Sequence, residues 1–417
     1  MLVRTGEGFN TVNSGGSLAP FVIPSPPTLK PPGLTGPSCP GTYASEFGGV
    51  AISTFESLSP TLDPSHWGLH APPMSERNYA VVSTPRRHPE DSQLMSLRHA
   101  DPHTPPHERT AQDNFVVAVA NLSWPADFVG IGETELKGKV YFSMLSQALF
   151  IKADVEARRS QNSWGCITWQ FNEIWPTGGW GSIEYGTVGF TAGQVEGGRW
   201  KVLQYLYKRY IYTDVLIVAD DAARLFIKND NAFSALSGVT SLSFLHLPTG
   251  QRVQTPLTIA VSLPRGAGAS NWTCVNNTVD VTTADCPSWP SILTPAGCAA
   301  DGSDCIALLE IRSSAGALIS ENFVLLAQPF ALSLPSATVT FAIGAPAADG
   351  TVPITLTASA TAVFVTLTTL AQGRFSDNAL LLSPGETTVN FIPWAGFDAG
   401  LLASSLRVEH LGTYARN

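Results

Sequence analysis

The sequence predicts a multidomain chain in which a mixed α/β part precedes an all-β part. Residues 166–210 read as a strand, an aromatic-rich loop and a helix, which together form a βα unit. Residues 141–159 have the apolar spacing of a helix that packs on one side. After residue 212, short apolar runs separated by turn residues are typical of β-sandwiches. The chain has 417 residues, enough for two to four domains.

The amino-terminal part of the chain has little predicted secondary structure. Residues 1–40 are rich in Gly, Ser and Pro, a composition that predicts a loop with polyproline character. Residues 42–48 then read as a short strand that delivers a carboxylate, Glu46, just before a glycine. From these residues alone, a surface glutamate at the end of a strand is the better interpretation of Glu46.

Six histidines fall between residues 55 and 109 and raise the question of a metal site. Imidazole is a common zinc ligand. However, prolines interrupt every helix that would present two histidines, and no cysteine accompanies them. We expect a long polar excursion here, followed by an apolar strand at residues 115–120 and an amphipathic helix at residues 141–159.

The βα unit carries the residues that point to chemistry. Its strand, residues 166–171, is β-branched and aromatic, so we expect it to be buried. The loop that follows holds Asn172, Glu173, Trp175 and Trp180 among Pro and Gly turn residues. A helix is predicted from Trp200 onward, because aromatic and apolar residues recur there at spacings of three and four.

Aromatic side chains beside an Asn and a carboxylate favour a sugar site. Pyranose rings stack on indole through their C–H faces, and their hydroxyl groups need polar partners. The alternative is that Trp164, Trp169, Trp175 and Trp180 serve only core and loop packing. The residues by themselves leave both interpretations open.

Composition excludes two classes of partner. The net charge of −9 argues against nucleic acid, because binding a polyphosphate relies on a surplus of Lys and Arg. There is no run of 18 uncharged apolar residues, so we expect no membrane span. The sequence predicts no cofactor, and it leaves the oligomeric state open.

The cysteines and glycosylation sequons indicate an oxidising compartment. Four of the six cysteines fall in one window, as Cys274, Cys286, Cys298 and Cys305. Spacings of 12, 12 and 7 without a CxxC pair fit zinc poorly, so we expect disulfides. Sequons begin at residues 121, 271 and 276. The first residues have no apolar h-region and do not resemble a signal peptide, so we expect the amino terminus of an exported protein to be missing.

The runs WQFNEIWPTGGWGSIEY and GRWKVLQYLYKRYIYTDVLI resemble the last strand, loop and helix of the catalytic barrel in β-mannosidases of glycoside hydrolase family 2. Glu173 stands where that family usually has Asp, which keeps the charge. LSQALFIKADVEARRS resembles the family's helix before the last strand. The resemblance therefore implies part of a (β/α)8 barrel at residues 41–213.

The resemblance also assigns roles to single residues. Ser45-Glu46-Phe47-Gly48 is similar to the family motif that carries the nucleophile, which implies that Glu46 is the nucleophile. Asn172 and Glu173 then take binding or orienting roles, and Trp169 and Trp180 stack on the sugar. The implied substrate is an oligosaccharide with terminal β-D-mannose, and the implied location is lysosomal or secreted.

The all-β part divides into two predicted sandwiches, at residues 214–327 and 328–417. Strands are expected at residues 215–218, 225–227, 239–247, 257–263, 330–334, 337–343, 352–358 and 362–367. The run Gly373-Arg-Phe-Ser-Asp-Asn378 is similar to a motif of the mannosidases' terminal immunoglobulin-like domain. The expected fold is thus the carboxy-terminal portion of a (β/α)8 barrel followed by two immunoglobulin-like β-sandwiches.

One expected catalytic group is missing from this sequence. The family's acid/base glutamate belongs to an Asn-Glu pair ahead of the nucleophile, and no such pair precedes Glu46. Asn172-Glu173 is such a pair, but it follows Glu46 and occupies the position of the eighth strand. We therefore expect a truncated chain that has little turnover alone. The alternative is a non-catalytic glycan-binding or adhesion protein that uses its sandwiches.

Overall fold

The computed structural model describes residues 44–68, 71, 73–74, 77, 131–160, 165–185, 197–220, 223–266, 269–274, 287–394 and 397–414. These residues form two compact units. As far as they are described, the first unit holds residues 44–47, 150–168 and 206–333, and the second holds residues 48–149, 169–205 and 334–414. The predicted loop 1–40, the strand at 115–120 and the sequons at 121 and 276 lie outside the described residues. So do five of the six clustered histidines.

The helices are α1 (Phe55–Leu58), α2 (Glu133–Ser160), α3 (Val202–Leu206), α4 (Trp289–Leu293), α5 (Ala399–Ser405) and α6 (Leu411–Tyr414). Helix α2 confirms the predicted helix and begins at Glu133 rather than Tyr141. Acidic residues in its first turn and Arg158 and Arg159 in its last turn complement the helix dipole. Helix α3 continues into a π-helical turn at Tyr207–Ile211. Within the described residues, no helix combines the length and the apolar character needed to cross a bilayer.

The strands of the first unit are β1 (Ala44–Phe47), β3 (Cys166–Thr168), β7 (Val215–Ala219), β8 (Arg224–Asn229), β9 (Leu236–His246), β10 (Gln251–Leu263), β11 (Ala269–Cys274), β12 (Cys305–Arg312) and β13 (Leu318–Leu325). Strands β1 and β3 pair in parallel. The others form a four-stranded sheet, β10-β9-β12-β13, and a three-stranded sheet, β11-β8-β7.

These two sheets make the first β-sandwich. Residues from both sheets share one apolar core, which includes Ile217, Leu225, Phe244, Ile259 and Leu309. Along β10, residues 257–263 alternate between buried and exposed, as expected for a strand with one face on the core. Strands β12 and β13 have no counterpart among the predicted strands, and they complete the larger sheet.

The strands of the second unit are β2 (Ala51–Ile52), β4 (Gly178–Gly179), β5 (Ile183–Tyr185), β6 (Gly197–Trp200), β14 (Val339–Ile343), β15 (Val352–Ala358), β16 (Ala362–Thr368), β17 (Gly373–Phe375), β18 (Leu380–Leu382), β19 (Gly385–Pro393) and β20 (Arg407–Glu409). Strands β14-β15-β19-β17 and β18-β16-β20 form the two sheets of the second sandwich. Two antiparallel pairs, β2-β4 and β5-β6, accompany it.

Strand β16 is buried along its whole length. One of its faces contributes Val365 and Leu367 to the sandwich core. Helix α2 also contacts this strand, because the Tyr141 hydroxyl donates a hydrogen bond to the Phe364 oxygen at 2.9 Å. The second sandwich is therefore packed against the helix that precedes the βα unit.

Three local predictions were wrong. The segment at residues 330–334 is not a strand, because Pro329–Ala331 forms a 3₁₀ turn in which proline occupies the first position. Trp200 ends strand β6 instead of beginning a helix. The strand expected to be buried at residues 166–171 ends at Thr168, and the exposed fractions of Ile167 and Phe171 are 52% and 63%.

Candidate functional site

The predicted nucleophile lies on a short parallel strand pair. Glu46 is in β1, whose residues Ala44 and Phe47 align with Cys166 and Thr168 of β3. The two strands run in the same direction, so their carboxyl ends lie at the same edge. In α/β folds, ligands bind outside the carboxyl ends of parallel strands. The backbone therefore puts Glu46 at the end of the sheet where such sites occur.

The first residues after the two strands pack closely against each other in the second unit. An ideal Cβ atom on Gly48 would lie 1.9 Å from the backbone oxygen of Trp169 and 2.9 Å from Cδ1 of Trp180. Only a glycine fits in this space. Close packing against Trp169 and Trp180 thus explains why the Ser45-Glu46-Phe47-Gly48 motif ends in glycine, which the sequence alone did not indicate.

A buried ion pair organises the loop after Trp169. Glu173 and Lys201 have side-chain exposures of 1% and 0%, and their Oε1 and Nζ atoms are 2.9 Å apart. Lys201 also donates to the backbone oxygen of Ala51 at 3.1 Å. The Glu173 carboxylate accepts a second hydrogen bond, at 2.7 Å, from the backbone N–H of Gly181. Each charge is therefore compensated, as burial requires.

The glycines of the loop leave room for this carboxylate. A Cβ atom on Gly179 would lie 2.5 Å from Oε2 of Glu173, and one on Gly181 would lie 2.5 Å from the Glu173 backbone nitrogen. The Thr-Gly-Gly-Trp-Gly run thus wraps around Glu173 and carries Trp180 between the two glycines. Trp180 is held in turn by Gln147, whose Nε2 donates to its backbone oxygen at 3.2 Å.

The same loop presents aromatic and apolar side chains to solvent. The exposed fractions of Trp169, Phe171 and Ile174 are 47%, 63% and 72%. Trp175 and Trp180 are half-buried, and the Arg77 guanidinium lies 5.3 Å from the centre of the Trp175 ring. Clustered exposed aromatics on an ordered loop are consistent with ligand binding rather than with core packing alone.

The structure brings four of the five predicted site residues into this one loop. Trp169 is exposed at its start, and Asn172 is half-buried, with its Nδ2 donating to the Glu173 backbone oxygen at 3.1 Å. The peptide bond between Trp169 and Gln170 is cis. The Glu173 carboxylate is enclosed, so it orients the loop from within. Roles in sugar binding stay predictions for all four.

Sequence reasoning missed Lys201, which lies between aromatic and apolar residues of the predicted helix. In the structure, Lys201 is the first residue after β6 and is fully buried. A signal existed in the sequence. A lysine between Trp200 and Val202 at the start of an apolar run needs an acidic partner, and Glu173 is a carboxylate in the adjoining loop.

A second set of buried polar contacts supports the strands beside the loop. Glu184 of β5 accepts hydrogen bonds from the Thr54 hydroxyl at 2.6 Å and the Thr54 backbone nitrogen at 2.9 Å. Arg407 of β20 pairs with Glu56 of α1 through Nε at 2.8 Å and Nη2 at 3.1 Å. Burial raises the pKa of Glu56, but the Arg407 guanidinium outweighs burial and holds this pKa below its usual value of 4.5.

The cysteines confirm the expected chemistry for one pair. Cys298 and Cys305 form a disulfide with an S–S distance of 2.07 Å. Together with Asp304 they are the one group of potential metal ligands among the described residues, and the disulfide occupies both sulfurs. Cys166 in β3 is a free thiol, and burial raises its pKa, which makes it a poor nucleophile at neutral pH.

The fold and the loop define the class of protein: a chain that contains two β-sandwiches and a loop with exposed aromatic side chains. A family model described as the Ig-fold domain of mannosidases matches residues 334–413. The β-mannosidase of Capra hircus is 31% identical over 100 residues, which cover 22% of this chain and 10% of that protein. β-Mannosidase A of Aspergillus flavus is 28% identical over 148 residues, which cover 33% of this chain and 14% of that protein.

Solved structures show the same fold over most of the chain. The β-D-mannosidase of Dictyoglomus thermophilum superposes with a TM-score of 0.56 and 17% identity, covering 88% of this chain and 37% of that one. The exo-chitosanase CsxA of Amycolatopsis orientalis gives a TM-score of 0.54 and 17% identity, covering 89% and 42%. The resemblance to β-mannosidases is thereby confirmed. The matched regions span less than half the length of these relatives.

Proposed function

We propose that this chain is the carboxy-terminal part of a retaining glycoside hydrolase that acts on terminal, non-reducing β-D-mannose in oligosaccharides and glycoproteins. The observation that carries the proposal is the loop at residues 169–185, in which Trp169 and Phe171 are exposed and Glu173 forms a buried ion pair with Lys201. Similarity to β-mannosidases supports the choice of sugar. By the same resemblance we propose a lysosomal or secreted location and a partial (β/α)8 barrel at residues 41–213.

In this proposal Glu46 is the nucleophile. Its ionised carboxylate attacks the anomeric carbon and forms a glycosyl ester, which water then hydrolyses. A second carboxyl group, about 5 to 5.5 Å from the first in retaining enzymes, protonates the leaving oxygen and later activates the water. No Asn-Glu pair precedes Glu46 in this sequence. We therefore expect turnover by this chain to be about 10² to 10⁴-fold below that of an enzyme that has the second, acid/base carboxyl group.

The loop supplies the binding surface. Trp169 and Trp180 stack on the C–H face of the mannose ring, the Asn172 amide orients the sugar, and the enclosed Glu173 orients the loop. Indole is suited to this role, because it combines a broad apolar face with an N–H donor. The fixed glycines and the compensated ion pair keep the loop in one arrangement before ligand arrives, which lowers the entropy cost of binding.

Calorimetric titration of the 417-residue chain with β-1,4-mannobiose tests the binding site. Trp169→Ala should weaken binding about tenfold, since it removes a stacking surface worth about 1.4 kcal/mol. Phe341→Ala is the matched control, because Phe341 is also a surface aromatic, 40% exposed in β14. Equal affinities for both variants and the parent chain would place binding elsewhere and favour a glycan-binding role for the sandwiches.

A further inference from the structure

The terminal sandwich contacts the segment that carries the ion pair of the loop. Strand β6 ends at Trp200, and the next residue is Lys201, whose ammonium bonds to Glu173 and to the Ala51 oxygen. The backbone N–H of Lys201 also donates to the Ser182 oxygen at 2.9 Å. Because Trp200 and Lys201 are consecutive residues, the placement of Trp200 constrains where the buried Lys201 ammonium lies.

The side chain of Trp200 is held by the motif Gly373-Arg-Phe-Ser-Asp-Asn378. The Arg374 guanidinium lies 4.6 Å from the centre of the Trp200 ring, a cation–π contact. Tyr205 packs edge-on against the same indole, with ring centres 5.2 Å apart. The Tyr205 hydroxyl in turn accepts a hydrogen bond from the Phe375 backbone nitrogen at 3.1 Å.

The other end of β6 is also enclosed by the sandwich. Gly198 has a φ of 80°, and a Cβ atom there would lie 2.9 Å from the Trp394 ring. Arg199 is buried and donates to the Leu370 oxygen at 3.4 Å and to the Ser57 hydroxyl at 2.9 Å. Strand β6 thus contacts the segment between β16 and α5 along its length, through Leu370, Arg374 and Trp394.

We infer that Arg374 is a positioning residue for the loop at residues 169–185, acting through Trp200, Lys201 and Glu173. This inference rests on the proposed function and gives the terminal sandwich a part in it. When Arg374 stacks on Trp200, the ammonium of Lys201 stays against Glu173, and the Gly181 N–H stays on the carboxylate. Without the stacking, β6 gains freedom, and the arrangement of the loop that binds sugar becomes less populated.

The size of the expected effect follows from the contact. A partly buried cation–π contact corresponds to a change of about 5- to 30-fold in an equilibrium. Arg374→Met keeps the aliphatic length and removes the charge, so it should weaken β-1,4-mannobiose binding by that factor. Arg374→Lys keeps a cation over the ring and should bind within about threefold of the parent chain. Arg312→Met removes a surface guanidinium of the first sandwich and should leave the affinity unchanged.

Hydrogen exchange of the full chain measures the positioning without any sugar. Amides of residues 181–183 and 201 should exchange faster in Arg374→Met than in Arg374→Lys. Trp200→Leu, which removes the ring instead of the charge, should show the same pattern if Arg374→Met does not fold. Unchanged protection of these amides in a folded Arg374→Met chain would overturn the inference. Faster exchange in Arg374→Met, with no mannobiose binding by any variant or by the parent chain, would support the positioning role of Arg374 and contradict the proposed sugar-binding function.

Discussion

Removing the Lys201 ammonium is expected to destabilise the second unit strongly. Lys201→Met keeps the side-chain length and leaves the Glu173 carboxylate buried, where the Gly181 N–H is its one remaining donor within the described part of the chain. The backbone oxygen of Ala51 loses its ammonium donor as well. Breaking a buried ion pair by removing one partner costs about 3–5 kcal/mol, because the remaining charge stays desolvated. We expect a loss of stability in this range.

Urea unfolding followed by tryptophan fluorescence measures this loss. The transition that reports on Trp169, Trp175 and Trp180 belongs to the second unit, so it should shift while the transition of the first unit stays in place. The double variant Glu173→Leu/Lys201→Met removes both charges and should recover much of the loss, since an apolar pair replaces an ionic one.

The matched control is Lys137→Met. Lys137 pairs with Glu133 on the surface of α2, and exposed pairs of this kind contribute about 0.2–1 kcal/mol. A cost below about 1 kcal/mol for Lys201→Met, equal to that of the control, would refute the reasoning. It would mean that the ammonium is solvated and does not hold the loop.

Three further outcomes are expected. Gly48→Ala should cost about 1–3 kcal/mol in urea unfolding, because the added methyl meets backbone atoms that cannot move aside. A cost near zero would contradict the close packing. Glu56 has a lowered pKa, so its contribution to stability is full above pH 4.5 and is lost as the pH falls through its lower folded value. Glu56→Gln, which leaves Glu409 as the acidic partner of Arg407, should therefore unfold with a weaker pH dependence below pH 4.5 than the parent chain, and parallel curves would contradict this. Replacing Cys298 and Cys305 by Ala should lower the melting temperature of the first sandwich, with a loss of about 2–3 kcal/mol for so short a loop.

Strong periodic patterns in the sequence predicted the long helix and several strands of the two sandwiches, but not β11, β12 or β13. Strand β15 coincides with its prediction, and α2 was recognised by its apolar stripe. The periodic pattern gave a wrong prediction where the same residue fits both a helix and a strand. Trp200 fits an apolar helical spacing and also the end of a strand, and only the pairing of β6 with β5 decides between them. Such non-local pairing is invisible to a local window.

The sequence indicated which residues form the candidate site, but not how those residues are arranged in three dimensions. Trp169, Asn172 and Trp180 were predicted because aromatics and an amide cluster in one loop. The enclosure of Glu173 depends on Lys201, which is distant in sequence, and on glycines whose missing side chains leave the space. A buried charge pair forms where two charged residues meet in three dimensions. A single sequence shows that Glu173 and Lys201 are present, but not that they pair.

The most direct test of the central claim is covalent trapping at Glu46. A dinitrophenyl 2-deoxy-2-fluoro-β-D-mannoside has a leaving group that departs without acid assistance, and its fluorine slows hydrolysis of the glycosyl ester. Incubated with the 417-residue chain and analysed by peptide mass spectrometry, it should attach one fluoromannosyl group to the peptide that contains Glu46, and Glu46→Gln should abolish the label. No label, or a label at another carboxylate, would contradict the assignment of Glu46 as the nucleophile.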